Sequence, residues 1–527
     1  MRSFFALVSL LAPGLLYAGC VGDDPGATVP QDGADSGAPG TDDGSVGDDA
    51  STQEDADVGD AGDAGPPITG DFTGLLALQA ATTAWAVAVD GSGDIVVVGT
   101  LNGTVNINGL SYTSNGDRDV LVARFAANNG VKWIKLLGSN KTDDGHGVAF
   151  DADGNVYVVG SYNGGGASDN VGTFGSKTLT AKHTTYNSFA AKLNGATGNT
   201  EWAVSFDGAG GSAGLCTALA VGPGPSVAVG CHMSGDLAYT DSSGSQATRT
   251  AGTQDIWIAE LDPSNGRVSS GLLLKGTSTE SVDTLAFDAD KNLYAGGSTK
   301  SPSLVGDTPS FTLNTVGSVS AEAAWLIKLG AGANRTHAWS KSYGVSPKSA
   351  LLAGVAIAPD GSIYATGGFG GTVNFGKGEA TSAGTRDTFV LHVDPADGST
   401  LHQTTFGGTD VVVTTTGIAI DDVGNPIVTS QYGGASFTLG STTLPEALDQ
   451  SYSSFVAKFT PDLSVLHYVK VAQADAGGVS GARHNAIGTN PKTGESVTVG
   501  SLHGTADLGN GAPTTRTGGA YIIRRAR

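Results

Sequence analysis

The sequence predicts an all-β protein whose main part is a seven-bladed β-propeller of four-stranded antiparallel blades. Three observations predict it. A strand pattern recurs seven times, the first strand of each repeat is apolar on both faces, and no segment keeps the 3.6-residue period of an amphipathic helix. Sheets packed radially around an axis cover both faces of an inner strand, because each sheet lies between two neighbours.

Each repeat begins with a short apolar strand, a tight turn and a second strand that ends in small residues. One alanine recurs on the first strand, at Ala88, Ala149, Ala220, Ala286, Ala356, Ala419 and Ala486. Inner strands converge near the axis of a propeller, so only a small side chain fits there. These alanines therefore indicate the innermost strand of each blade.

A third and a fourth strand complete the repeat. The third strand carries one large residue, at Leu121, Phe189, Trp257, Trp325, Phe389, Phe455 and Tyr521. The fourth strand has one position occupied by Trp133, Trp202, Trp339, His402 and His467. The two histidines could line a pocket, or they could simply pack on outer strands as the tryptophans do.

The ends of the repeated region predict how the ring closes. The seventh repeat has three strands before Arg527, and residues 73–81, ahead of the first repeat, resemble a fourth strand. Pairing the two would complete the last blade and remove a free sheet edge. We expect the N-terminal strand to close a propeller that spans residues 68–527.

The N-terminal segments predict an anchor and a tether. Residues 1–20 have the short apolar core of a signal peptide, and Tyr17–Cys20 resembles a bacterial lipobox. That resemblance implies that Cys20 carries acyl chains such as palmitate; an ordinary secretory signal is the alternative. Residues 21–67 contain 13 Asp or Glu and no Lys or Arg. Such a segment should be a disordered acidic linker, either a spacer or a passive tail.

Charge excludes one class of partner. The chain has 28 Lys plus Arg against 50 Asp plus Glu, which gives a formal net charge of −22. This leaves no basic surface for phosphate backbones, so we expect no nucleic-acid partner. Since the linker has 13 acidic residues and no basic ones, it supplies 13 of the 22 net negative charges, and the net acidity belongs largely to the tether.

The repeat resembles a known family. Its matching elements are the first hairpin, best seen at residues 147–161, and the third strand, best seen at 387–393 and 455–459. Together they resemble the SBBP-type β-propeller repeat of bacterial surface and secreted proteins. The resemblance implies a propeller in the cell envelope, and it implies no single activity.

Two cysteines of the third repeat are predicted to form a disulfide. A hairpin that turns on Pro223-Gly224 places Cys216 opposite Cys231, at a separation that a disulfide can bridge. The alternative is a pair of buried thiols.

Other motifs have a simpler structural explanation. The turns 151–155 and 288–292 resemble the opening of a calcium loop but lack its closing Glu, and Asp, Gly and Asn also suit tight turns. The string 210–214 matches a nucleophile elbow around Ser212, but it lies between two strands. We therefore assign no catalytic, cofactor or metal-binding residue, and we expect the protein not to be an enzyme.

The connections between strands two and three are long at 162–186, 232–254, 299–321 and 431–452. Their Ser, Thr, Asn, Gly and Tyr suit the binding of glycans or protein surfaces. The sequence thus favours a monomeric, lipid-anchored binding or scaffold module of the bacterial envelope. A glycan lyase or hydrolase with a funnel active site, and a purely structural protein, are the alternatives.

Overall fold

The computed structural model describes residues 72–78, 82–164, 171–207, 212–224, 226–252, 254–318, 320–409, 411–440, 442–444, 453–472, 481–507, 513–516 and 519–527. No described residue is helical, and none belongs to a helix long and apolar enough to cross a membrane. The described strands lie in one compact unit, Ile68–Arg527. The predicted signal (1–20) and linker (21–67) lie outside the described residues.

The described strands are, in chain order, β1 (Phe72–Ala77), β2 (Thr82–Val89), β3 (Ile95–Leu101), β4 (Thr104–Ile107), β5 (Leu110–Thr113), β6 (Asp119–Phe125), β7 (Val131–Leu137), β8 (Asp144–Phe150), β9 (Val156–Asn163), β10 (Val171–Phe174), β11 (Lys177–Thr180), β12 (Tyr186–Leu193), β13 (Thr200–Val204), β14 (Ser212–Gly222), β15 (Ser226–Ser234), β16 (Asp236–Thr240), β17 (Gln246–Thr250), β18 (Asp255–Leu261), β19 (Val268–Lys275), β20 (Glu280–Phe287), β21 (Leu293–Thr299), β22 (Ser303–Asp307), β23 (Ser310–Asn314), β24 (Ala323–Leu329), β25 (His337–Tyr343), β26 (Ala350–Ile357), β27 (Ile363–Phe369), β28 (Thr372–Asn374), β29 (Glu379–Thr381), β30 (Asp387–Val393), β31 (Thr400–Phe406), β32 (Val411–Ile420), β33 (Pro426–Gly434), β34 (Phe437–Leu439), β35 (Thr442–Leu444), β36 (Ser453–Phe459), β37 (Val465–Ala472), β38 (Gly481–Thr489), β39 (Ser496–Asp507), β40 (Pro513–Arg516) and β41 (Ala520–Arg525).

Seven antiparallel sheets form the blades. From the axis outward they are blade I (β2-β3-β6-β7), blade II (β8-β9-β12-β13), blade III (β14-β15-β18-β19), blade IV (β20-β21-β24-β25), blade V (β26-β27-β30-β31), blade VI (β32-β33-β36-β37) and blade VII (β38-β39-β41-β1). The first strands contact one another in sequence around the ring, and β38 returns to contact β2. The seven-bladed prediction is confirmed.

The last blade takes its outer strand from the N-terminus. Strand β1 pairs antiparallel with β41, with Leu75 opposite Ile523 and Ala77 opposite Tyr521. The closure predicted from the sequence is therefore present. It joins the two ends of the propeller through main-chain hydrogen bonds, which leaves the outer edge of β41 covered.

Close contact between first and second strands explains the small residues that end the second strands. A Cβ at Gly99 would lie 1.8 Å from the Thr83 carbonyl oxygen, and one at Gly367 would lie 1.9 Å from that of Leu351. No side chain fits at these distances. Larger apolar residues fill the spaces between blades, where buried Val, Leu, Ile and aromatic side chains form the core.

The long connections between strands two and three are hairpins rather than open loops. Six blades carry an additional two-stranded hairpin there: β4–β5, β10–β11, β16–β17, β22–β23, β28–β29 and β34–β35. In blade VII, β40 pairs with the end of β39. In blade I, two residues explain why the connection forms a hairpin. Asn108 and Gly109 have positive φ values of 52° and 80°, as in the tight two-residue turn that joins antiparallel strands.

The hairpins bridge adjacent blades. Thr173, in the hairpin of blade II, exchanges two main-chain hydrogen bonds of 2.9 and 2.6 Å with Gly138, which follows the outer strand of blade I. In blade IV, β22 pairs directly with β19 of blade III. The connections between strands two and three, whose composition suits binding, thus also hold neighbouring blades together.

Candidate functional site

The loop face is the side of the propeller where the blade connectors meet the hairpins, and the turn face is the opposite side. Asp143, in the connector between blades I and II, accepts a hydrogen bond of 2.9 Å from the main-chain N–H of Asn163, where the blade II connection begins. Connectors and strand-two-to-three connections therefore lie together on one face of the propeller. The tight turns between strands one and two and between strands three and four lie on the turn face.

Buried carboxylates hold the loop face in place. Asp143 is fully buried and accepts hydrogen bonds from the N–H and hydroxyl of Ser139, at 2.6 and 2.9 Å. Burial raises the pKa of Asp143 to about 7, against the opposing effect of these hydrogen bonds. Asp207 plays the same part between blades II and III, where it accepts from the N–H and hydroxyl of Ser188, and burial also raises its pKa.

Every innermost strand contains a β-bulge at the same place. The bulged residues are Trp85, His146, Thr217, Asp283, Ala353, Thr416 and Asn485. A bulge leaves one residue without a partner on the neighbouring strand and re-aims its side chain. Sequence reasoning missed this ring, because a single inserted residue does not disturb the apolar pattern of the strand.

The bulged residues lie between adjacent innermost strands. Thr217 donates to the Val282 carbonyl of the next blade at 2.6 Å, and Asn485 donates to the Ala84 carbonyl at 2.6 Å. In both cases the acceptor is the residue just before the bulge of the neighbouring strand. Two of the seven bulged residues thus bond to the next innermost strand in the same way.

Blades I and II bring a polar cluster to this ring. Arg118 forms an ion pair with Asp144, with 2.7 Å between Nη2 and Oδ2, and the side chains of the pair are 40% and 8% exposed. His146 follows two residues after Asp144 on the same strand. Burial lowers the pKa of His146; the Asp144 charge opposes this effect and the Arg118 charge adds to it. Tyr186 lies close by, and burial followed by the Asp144 charge raises its pKa.

Several polar atoms of blades I and II are buried without a hydrogen-bond partner among the described residues. They include the indole Nε1 of Trp85, the Nε of Arg118, the Oδ1 of Asp119 and the Nε2 of His146. Atoms of this kind also occur in the other blades.

A second polar group lies in the next two blades, III and IV. His232 Nε2 lies 3.2 Å from Thr217 Oγ1 and 3.3 Å from the Val282 main-chain N. Burial lowers the pKa of His232 to about 4, so its imidazole is neutral near pH 7. At the bulge of blade IV, Ser281 donates a hydrogen bond of 2.7 Å to the carboxylate of Asp283.

Cys216 and Cys231 are joined by a disulfide between the first two strands of blade III. The S–S distance is 2.02 Å and the Cα atoms are 3.8 Å apart. The two residues are direct cross-strand partners. Cys231 occupies the position that Gly99 and Gly367 fill in their blades, which places the disulfide at the closest approach of the two strands.

The calcium-like turns use their carboxylates within the turn. Asp151 accepts hydrogen bonds from the main-chain N–H groups of Asp153 and Asn155, at 3.0 and 2.8 Å, and Asp288 accepts one from Asn292 at 2.8 Å. This is the hydrogen bonding of an Asx turn. Among the described residues, no group of three or more His, Cys, Asp or Glu side chains is placed to hold a metal ion.

The remaining sequence candidates lie apart from the ring. Ser212 is the first residue of β14, so a strand follows it where a nucleophile elbow needs a helix; Gly210 lies outside the described residues. His402 stacks on His392, with ring centroids 5.6 Å apart, on the outer part of blade V. His467 lines a cavity of about 20 Å³ between blades VI and VII.

Two small cavities lie in the described chain. One has a volume of about 20 Å³ and is lined by residues that include Lys458, His467 and Arg525. Another, of about 10 Å³, is bordered by Glu260 and Arg335. Each has room for about one water molecule.

One family model matches the chain directly. The SBBP model, described as a β-propeller repeat, matches residues 132–166, from the fourth strand of blade I to the second strand of blade II. Seven blades of four antiparallel strands make the described chain a β-propeller, and residues 132–166 of it are similar to the SBBP repeat. No curated protein matches it.

Solved structures with a similar arrangement are distant in sequence. The quinohemoprotein alcohol dehydrogenase from Comamonas testosteroni is 11% identical over 86% of this chain and 76% of that one, with a TM-score of 0.37. The Dos1 propeller is 8% identical, with coverages of 86% and 94% and a TM-score of 0.36. Sqt1 from Chaetomium thermophilum is 10% identical, with coverages of 85% and 97% and a TM-score of 0.39. We transfer no activity from any of them.

Proposed function

We propose that this protein is a lipid-anchored binding or scaffold module of the bacterial cell envelope, which takes a glycan or a protein at its loop face. One observation carries the proposal: the ring of bulged residues. The seven blades repeat their structural positions, yet the bulge position holds six different residue types. Close packing requires small residues at the ends of the second strands. At the bulge position the residue type varies from blade to blade, as a recognition surface requires.

The path of the chain supports an outward-facing loop face. Strand β1 takes the place of a fourth strand, and fourth strands start at the turn face and end at the loop face. The chain therefore enters the propeller from the turn face, at Phe72. An anchor at Cys20 would therefore be linked to the propeller through β1, whose first residue lies at the turn face.

A glycan-cleaving enzyme is the rival class, and the Arg118–Asp144–His146 cluster is the observation in its favour. Glycoside hydrolysis needs two carboxyl groups, one on each side of the scissile bond, about 5–10 Å apart. In the cluster, Asp144 is already bonded to Arg118 at 2.7 Å. This pairing favours binding over acid catalysis.

Labelling with palmitate tests the anchor. Cells that produce the full chain should incorporate the label and retain the protein in the membrane fraction, and Cys20→Ser should abolish both. Cys216→Ala is the matched control and should stay labelled. Equal labelling of wild type and Cys20→Ser would refute lipidation at this cysteine.

An array of bacterial glycans and purified envelope proteins tests the binding role, with the full chain carrying Cys20→Ser as the probe. Saturable binding without release of product would support a binding module. Turnover of a bound glycan would favour the enzyme, and no saturable binding would leave the structural alternative.

A further inference from the structure

One region of the loop face combines exposed apolar side chains with charged ones. Val316 lies between the hairpin and the third strand of blade IV, and Val412 lies at the start of the innermost strand of blade VI. The two valines are 48% and 41% exposed. Exposed apolar side chains that lie together with charged groups are typical of a docking surface.

Glu322 links Val316 to the connector between blades IV and V. A Cβ on Gly344 would lie 3.1 Å from Cγ2 of Val316 and 3.4 Å from the Cα atom that follows Glu322. The main-chain N–H of Glu322 donates a hydrogen bond of 3.2 Å to the hydroxyl of Ser349. Lys348, the exposed residue before Ser349, therefore belongs to the same part of the loop face.

Arg386 links this connector to blade VI. Its side chain lies over the second strand of blade V, because a Cβ on Gly368 would be 3.0 Å from Cδ of Arg386. Beside it, the N–H of Gly370 donates to the Ser349 carbonyl at 3.0 Å. The Arg386 carbonyl accepts a hydrogen bond of 3.1 Å from the N–H of the residue after Val412. One continuous surface results, called the blade IV–VI patch: Val316, Glu322, Lys348, Arg386 and Val412.

The blade IV–VI patch lies in a positively charged part of the loop face. Lys348 is exposed and Arg386 is half-buried. Glu322 is the acidic residue of the patch, and its carboxylate lies 4.0 Å from the ammonium group of Lys300. Three cations and one carboxylate give these four residues a net charge of +2, in a chain whose formal net charge is −22.

This chemistry fits an acidic polypeptide. Val316 and Val412 offer apolar surface that the apolar side chains of a protein segment would cover. Lys348 and Arg386 would attract its Asp or Glu side chains. An acidic polysaccharide would satisfy the two cations, but it has no apolar side chains to place against the valines. A protein segment with both kinds of side chain matches the whole patch.

We propose that the blade IV–VI patch docks an acidic segment of a partner protein of the envelope, whose apolar side chains contact Val316 and Val412 and whose carboxylates pair with Lys348 and Arg386. This inference rests on the proposed binding function and narrows it to one class of partner and one part of the loop face.

The test is fluorescence titration of the full chain carrying Cys20→Ser with short labelled synthetic peptides. Three sets of peptides share the same Val, Leu and Ile content, and their other residues are Asp and Glu, Lys and Arg, or Ser and Gln. Polygalacturonate, an acidic polysaccharide, is a further probe. At least one acidic peptide should bind saturably and more tightly than its basic and uncharged counterparts. Its affinity should fall as the salt concentration rises, because salt screens exposed charges.

Reversal of charge gives the sharpest variant. Lys348→Glu/Arg386→Glu should weaken the binding of the acidic peptide by about tenfold or more and should strengthen that of basic peptides. Val316→Ser/Val412→Ser keeps the charge and should weaken the acidic peptide by about fivefold.

Lys377→Glu is the matched control, because it reverses an exposed lysine in the hairpin of blade V, outside the patch. It should leave the affinity within about twofold of wild type. Melting temperatures verify that each variant is folded. If Lys348→Glu/Arg386→Glu is not folded, Lys348→Glu alone decides, with an expected loss of about fivefold.

The outcomes separate the two proposals. An acidic peptide that binds Lys348→Glu/Arg386→Glu as tightly as wild type would overturn the site. Saturable binding of polygalacturonate without binding of any acidic peptide would overturn the partner class, while the broader binding role stands. If neither the peptides nor the array of glycans and envelope proteins gives saturable binding, both proposals fail.

Discussion

Single residues decide how closely the strands approach and what charge the loop face carries. The pairing of Cys216 with Cys231 followed from counting outward from one predicted turn, because an antiparallel register is fixed once its turn is known. The ring of bulged residues could not be reached in this way. Its residues come from seven innermost strands, and only folding brings them together.

Removal of the disulfide should destabilise blade III. A bond that closes a loop of this length contributes about 3 kcal/mol, so Cys216→Ala/Cys231→Ala should lower the free energy of unfolding by about that amount. Chemical denaturation with and without reductant measures it: reductant should lower the midpoint of wild type and leave that of the double variant unchanged. Alkylation of both cysteines in unreduced, folded protein would contradict the bond.

The burial of Asp143 should make stability depend on pH. Its pKa is raised from 3.8 to about 7, so the folded protein holds this proton more tightly than the unfolded chain does. Its contribution to stability is complete below about pH 4 and declines as the pH rises towards 7, by at most about 1.4 kcal/mol per pH unit.

Asp143→Asn should flatten this dependence, because the amide does not titrate. Urea unfolding at intervals between pH 4 and 8 gives the slope for each protein. Asp153→Asn, which changes an exposed aspartate of a turn, is the control and should keep the wild-type slope. Identical slopes for wild type and Asp143→Asn would show that Asp143 does not titrate in this range.

At the scale of strands and hairpins, the sequence predicted four strands per blade but not the additional hairpins. Their strands are only three to five residues long, so they gave no periodic signal. One local signal was present: Ile107-Asn-Gly-Leu110 is the pattern of a two-residue hairpin turn. The bulges left no such trace, because their effect is geometric and changes no residue type.

The contact between first and second strands gives a sharp test. Gly99→Ala would place a Cβ 1.8 Å from the Thr83 carbonyl oxygen, so β2 and β3 would have to separate. We expect a loss of about 3 kcal/mol or more in the free energy of unfolding, or failure to fold. Gly103→Ala is the control: it meets nothing within 4 Å, and its positive φ of 88° should cost about 1 kcal/mol. Equal losses would contradict the proposed steric cause.

At the scale of the whole molecule, closure by β1 was predictable because the seventh repeat has only three strands and an additional strand precedes the first repeat. Deletion of residues 70–82 should therefore open the ring. It exposes the edge of β41 and removes contacts between blades VII and I, so the protein should unfold or associate through the free edge. Light scattering after gel filtration, together with thermal melting, measures both. A monomer with wild-type melting would disprove closure by this strand.

Closure by β1 also determines how the propeller would carry mechanical load. If a partner held the loop face while the anchor held Cys20, the tension would reach the propeller at Phe72, the first residue of the closing strand. The pull would act along β1, from its turn-face end, and would slide this strand against β41. In this shear geometry the hydrogen bonds between Phe72–Ala77 and β41 are loaded together rather than broken one after another. The strand that seals the ring would thus serve as its attachment under force.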